Sequence, residues 1–161
     1  MHNLVLSRDL DSPLTHRERA AVDEWLASNK SLHIMRDHPL HGDFVLAGMW
    51  GFRPALSRNV SRYMLETLLN ANIMKKYTGL GDQLFLFHTL WSLTENDAIV
   101  HDSYHCERFH DNPMPFPTKR LFGNGSNIFV GCVRPCLENQ FPAGECPVAC
   151  RPKNHKEWLY C

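Results

Sequence analysis

Asp9 and Asp11 stand two positions apart, just after the short apolar run Asn3-Leu-Val-Leu6 and the polar pair Ser7-Arg8. On an extended turn that spacing sends both carboxylates to one side, as a hard divalent cation requires. A manganese or magnesium ion held there would neutralise charge on a bound diphosphate. A solvated turn ahead of a helix uses the same two residues, so the pair alone leaves both readings open. Arg36, Asp37 and His38 form a second polar cluster after the apolar Leu32-His-Ile-Met35. They suit the hydroxyls of a bound sugar in preference to a structural ion pair. Lys119 and Arg120 follow a proline-rich loop and read as a solvated basic pair in preference to a lid over the diphosphate.

Six cysteines add a different chemistry: Cys106, then Cys132, Cys136, Cys146, Cys150 and Cys161. An even number gathered in a proline-rich tail suits disulfides and, with them, an oxidising compartment. The Cys132-x3-Cys136 and Cys146-x3-Cys150 spacings also lie within the range of zinc knuckles, and free thiols are the third option. N-x-S sequons at Asn29, Asn59 and Asn124 point to the secretory pathway or the cell exterior.

The elements that must position these residues are legible from the pattern. Asn3–Leu6 reads as a buried strand emptying into the Asp9 turn, at the kind of edge where α/β sheets bind ligands. Thr15-His-Arg-Glu18 is a capping box, and Val22, Trp25 and Leu26 continue it as a helix ending near Ser28-Asn29. Leu32–Met35 and Phe44–Ala47 read as two further strands, the second ending at Gly48-Met-Trp-Gly51. Met64, Leu65, Leu68, Leu69 and Ile73 predict one long amphipathic helix from Val60 to Met74. Asp82-Gln83 opens a second helix that is apolar nearly all round, and Ala98–Val100 gives a last strand. Strands separated by helices imply an α/β fold. From about Ser103 the prolines punctuate a loop-rich tail.

At 161 residues, with 43% hydrophobic and 21% charged residues, the chain suits one substantial core. Lysine plus arginine equals aspartate plus glutamate at 17 each, which lacks the basic excess of a nucleic-acid binder. No apolar run reaches the roughly 20 residues that span a bilayer, and the first residues do not form a targeting segment. Oligomeric state is not readable.

Taken in order, Arg8-Asp-Leu-Asp-Ser12, His33-Ile-Met-Arg-Asp-His-Pro39, Ala47-Gly-Met-Trp-Gly51, Asp82-Gln83-x-x-Leu86 and His101-Asp-Ser-Tyr-His105 resemble a group of proteins related to bacterial surface-polysaccharide transferases. More distantly they resemble retaining GT-A galactosyl- and glucosyltransferases. The resemblance covers about residues 4 to 120. It implies a partial GT-A mixed sheet with flanking helices over residues 1–120, followed by a loop-rich, cysteine-containing tail over 121–161.

It further implies a hexosyltransferase acting on a nucleotide-diphosphate sugar and a glycan or other hydroxyl acceptor, with Mn2+ or Mg2+ as cofactor. Asp9 and Asp11 become the metal and diphosphate ligands, with His101 or His105 supplying a further ligand. Arg8 sits beside sugar or phosphate, and Gly48 leaves room for the donor hexose. Asp82 and Gln83 meet the transferred sugar or the acceptor hydroxyl, and Asp82 suits an inverting or a retaining scheme alike. In GT-A enzymes the D-x-D lies well into the domain, whereas here it begins at residue 9. The expectation is a chain without the nucleotide-binding half, with Leu4–Leu6 as an open sheet edge and poor transfer on its own. The rival expectation is a non-catalytic, disulfide-stapled extracellular binding module.

Overall fold

The first helix begins where the Thr15-x-x-Glu18 spacing predicts. Thr15 is extended, and its hydroxyl accepts from the Glu18 N–H at 3.0 Å, capping α1 (His16–Ala27). Only this half of the expected capping box forms among the described residues: the Glu18 carboxylate pairs with Arg8 on the neighbouring strand and ties helix to sheet. In the computed structural model, residues 4–79, 81–109, 112–120, 129–134, 136 and 144–161 are described. Asn3, the Asn124 sequon and much of the tail before residue 144 lie outside the described residues.

Strands β1 (Val5–Arg8), β2 (Leu32–Arg36), β3 (Met49–Phe52) and β4 (Ala98–Asp102) form one mixed sheet in the order β1-β3-β2-β4. β3 runs antiparallel to both neighbours, while β2 and β4 are parallel, Leu32 opposite Ala98 and Arg36 opposite Asp102. Side chains alternate across the sheet. Leu32, Ile34, Phe52 and Val100 pack on one face against Val60 of α2 (Arg58–Leu69) and Phe85 of α4 (Asp82–Leu86). Leu90 and Trp91, from the π-helical turn Phe87–Trp91 that extends α4, complete this core.

The other face sets Met35 and Met49 against Ala21 of α1, with Phe116 and Val130. Trp25 is fully buried there, stacked on His33 at 5.2 Å. It lies so close over Gly51 that a Cβ at position 51 would come within 2.9 Å of the indole. The result is a sheet with helices on both faces, the layering that α/β patterning implies.

Four expectations are corrected. Phe44–Ala47 is not a strand; the third strand is Met49–Phe52. The run is apolar because it crosses the end of the sheet, Phe44, Val45 and Ala47 entering one core and Leu46 the other. The helix expected over Val60–Met74 ends at Leu69. Asn70 leaves helical geometry, and its side chain accepts from the Asn72 and Ile73 N–H groups to start the short α3 (Ala71–Met74). The first strand is not buried but is the open edge that was also expected, with Leu4, Val5 and Leu6 37%, 40% and 43% exposed, because among the described residues only β3 pairs with it. Arg120 is not solvated: it is 1% exposed and bonds Asp37 at 2.5 Å.

The cysteines pair as Cys106–Cys150, Cys132–Cys136 and Cys146–Cys161, so zinc knuckles and free thiols are both set aside. Cys146, Cys150 and Cys161 pack with Tyr104 and Cys106, which fastens the end of the tail beside the end of β4. Among the described residues, no helix is long and apolar enough to cross a membrane.

Candidate functional site

The register brings the carboxyl ends of β1, β2 and β4 and the start of β3 to one edge of the sheet. Asp9 and Asp11 follow β1, Asp37 and His38 follow β2, Gly48 precedes β3, and Ser103 and His105 follow β4. Residues spread over nearly a hundred positions therefore share the edge at which open α/β sheets bind ligands.

Within that edge the residues divide into exposed and committed groups. Asp9 and Asp11 are exposed, and among the described residues neither carboxylate accepts a hydrogen bond. The Asp9 carboxylate lies directly over Gly48, where a Cβ would overlap it. The space that Gly48 leaves is thus taken by Asp9. Arg8 beside them pairs with Glu18 and donates to the Trp50 carbonyl at 2.9 Å.

Asp37 is fully buried between two guanidiniums. Arg17 grips it through Nε at 3.1 Å and Nη2 at 3.0 Å, and Arg120 through Nη2 at 2.5 Å. The Ser103 hydroxyl donates at 2.7 Å and the Val130 N–H at 2.9 Å. Burial alone would raise the carboxyl, but the Arg120 and Arg17 charges outweigh it and hold Asp37 below its ordinary value. Arg36 pairs with Asp102 at 2.6 Å, both fully buried, and its guanidinium lies over the Phe109 ring at 4.3 Å. The other Asp102 oxygen accepts from the Tyr104 and His105 N–H groups at 2.8 and 2.7 Å, fixing the turn after β4. Arg36 and Asp37 therefore build the edge, the structural alternative of the two read from the sequence.

The histidines are similarly placed by hydrogen bonds. His38 Nδ1 accepts from the Leu40 N–H and His41 Nδ1 from the Asp37 N–H, both at 3.1 Å. Burial pushes His41 down to about 3, against the pull of Asp37, so its ring is neutral and keeps its proton on Nε2. His105 lies within the same group, its Nε2 buried and without a hydrogen-bond partner among the described residues.

His101 does not join Asp9 and Asp11. Their strands are the two outermost of the sheet, about 14 Å apart at three interstrand spacings. Both imidazole nitrogens are also occupied: Nε2 with the Glu24 carboxylate at 3.0 Å and Nδ1 with His33 Nε2 at 2.9 Å. The His101 hydrogen bond draws the Glu24 carboxyl below its ordinary value. An ionised Glu24 requires the His101 proton on Nε2, so His101 Nδ1 accepts from His33 Nε2–H. Burial above all holds His33 well below its ordinary value and keeps that ring neutral. His101 therefore has no lone pair for a metal.

Asp82 and Gln83 open α4 on the opposite face from α1. Asp82 is exposed, in a groove lined by Leu68, Met74 and Tyr77. Gln83 shares a cleft of about 360 Å³ with Asp43, Phe44 and Val45, the loop leading to Gly48.

Sequence reasoning passed over Arg17, Glu24, His33 and Ser103. Helical spacing held a signal for the first two: Arg17, Ala21, Glu24 and Trp25 fall at i, i+4, i+7 and i+8, one stripe of α1 facing the sheet. Comparison with known protein families, with curated proteins and with solved structures gives no match to this chain.

Proposed function

We propose that the chain is a glycosyltransferase-like domain that holds a nucleotide-diphosphate sugar at the C-terminal edge of its sheet, through Asp9, Asp11 and a manganese or magnesium ion. One observation carries the reading: two exposed carboxylates follow β1 in a single turn, neither committed to another described residue, that of Asp9 lying over buried Gly48 at the edge where α/β sheets bind ligands. The remainder of the edge is rigid, since Asp37 and Asp102 are each locked by arginine and backbone donors.

When bound, the metal neutralises charge on the diphosphate. Asp9 and Asp11 orient it, and Gly48 keeps the position of Asp9 clear. The Gln83 cleft, which shares the Asp43–Val45 loop, is the place on this reading for the hydroxyl acceptor. His101 is withdrawn from the ligand set. The three disulfides suit an oxidising compartment, which fits a Golgi-lumenal or extracellular protein.

A second reading, a non-catalytic extracellular binding module, is favoured by the same bridges, two of which tie the end of the chain beside β4. Isothermal titration of uridine diphosphate in the presence of manganese separates the two. Binding that requires the metal and is lost in Asp11→Ala is expected; no binding with manganese or magnesium overturns the transferase reading and leaves the module.

A further inference from the structure

On the side of the sheet covered by α1, away from Asp82 and Gln83, a cleft of about 560 Å³ opens between α1, residues 113–117 and residues 152–158. That volume lies within the range of small-molecule sites. We infer that this cleft binds a neutral pyranoside sugar, with Glu24 accepting from its hydroxyls and Trp158 supplying the surface on which the ring packs.

Pro113, Pro115 and Pro117 alternate with Met114 and Phe116. The strip is fastened along β4, the Met114 N–H donating to the Val100 carbonyl at 2.7 Å and the Asp102 N–H to the Met114 carbonyl at 3.0 Å. The facing wall is held by the Cys146–Cys161 and Cys106–Cys150 bridges and by Arg151, which donates to the Cys146 carbonyl at 2.8 Å. There Trp158 is propped by His155, stacked at 4.2 Å with the rings 10° apart. Both walls are set before any ligand arrives, which lowers the ordering cost of binding.

Prolyl rings and an indole offer flat apolar surface, and prolines bring no N–H of their own. Into this surface project a few polar groups of both kinds: Glu24 as acceptor, Lys153 and Asn154 as donors. A pyranoside presents hydroxyls that donate and accept around a ring whose C–H face is apolar. It matches this lining better than a purely apolar ligand, which would leave Glu24 dehydrated, or an anion, which Glu24 repels.

Glu24 is suited to binding rather than to proton transfer. His101, with no exposure of its own, fixes one carboxylate oxygen and keeps the group ionised, and His33 fixes His101 in turn. An anion so held accepts hydroxyl protons in hydrogen bonds without taking them. The inference does not rest on the metal reading of Asp9 and Asp11.

The test uses the disulfide-intact chain and three probes: the methyl pyranosides of glucose, galactose and mannose. The Trp158 indole N–H is followed by NMR, assigned with Trp158→Phe. At least one glycoside is expected to shift that resonance saturably, with a dissociation constant of millimolar order. Glu24→Gln leaves His101 a partner and is expected to weaken binding about tenfold or more. Trp158→Ala abolishes it, whereas Asp11→Ala and chelation of metals leave it unchanged. A Trp158 resonance unmoved by all three glycosides overturns the inference. So does an equal response to glycerol, or full binding by a folded Glu24→Gln protein.

Discussion

Asp37 shows most clearly what single residues do in this molecule. Its carboxylate is shared by Arg17 and Arg120 inside the fold, so removing its charge takes a common counter-ion from two buried cations. Asp37→Asn is expected to lower unfolding free energy by about 3–5 kcal/mol, the range for breaking a buried pair from one side; urea denaturation at neutral pH measures it. The pH dependence has a definite sign. Because its folded value lies below its unfolded one, the Asp37 contribution is fully present above the ordinary carboxylate range, about pH 4. It is lost as pH falls through the folded value. In Asp37→Asn that part of the acid limb should disappear, and melting curves from pH 5 downward should be flatter than in the parent. An unchanged acid limb would show that Asp37 is not the linked group.

At the scale of elements, α1 is held to the sheet by shape. Trp25 lies over Gly51, and the nearest indole and Leu6 atoms leave no room for a side chain at 51. Gly51→Val should push α1 away from β3 and cost about 1–3 kcal/mol by overpacking. The comparison is α2, whose apolar positions largely face water: Leu65, Leu68 and Leu69 are 56%, 49% and 78% exposed. Leu69→Ser should change stability by no more than about 0.5 kcal/mol. Thermal melts of the two variants together check whether the stripe read from the α2 sequence contributes to this fold. A large loss in Leu69→Ser would mean that it does.

For the molecule as a whole, the covalent bridges differ in reach. Cys106–Cys150 spans 44 positions, Cys146–Cys161 spans 15 and Cys132–Cys136 only 4. Loop-closure entropy makes them worth about 4, 3 and 2 kcal/mol in that order. The paired Cys106→Ser and Cys150→Ser change should therefore lower the melting temperature most, and the Cys132, Cys136 pair least. The first pair also frees one wall of the Trp158 cleft from the end of β4, so its loss should loosen that cleft while the Asp9 turn is unaffected. Amide exchange read at residues 152–158 and at 9–12 distinguishes the two regions.

The sequence by itself determined the local matters. Thr15 and Glu18 place the start of α1, the apolar run at Leu32 is a strand, and the glycines at 79 and 81 precede a new helix at Asp82. Pattern also located the carboxylates and histidines at the ends of strands, because strand endings are marked by a change from apolar to polar residues. It misread Phe44–Val45, which plug a core as a loop, and the α2 helix, which Asn70 stops through its own side-chain hydrogen bonds. Only the tertiary structure decided which polar residues are free to act. His101 is spent on Glu24 and His33, 77 and 68 positions away, and Asp37 on Arg120, 83 away. Such pairings follow from strand order and from which helix covers which face, and no local spacing encodes them. An aspartate that caps a turn and one that anchors a buried cation look alike in sequence; burial and partners separate them.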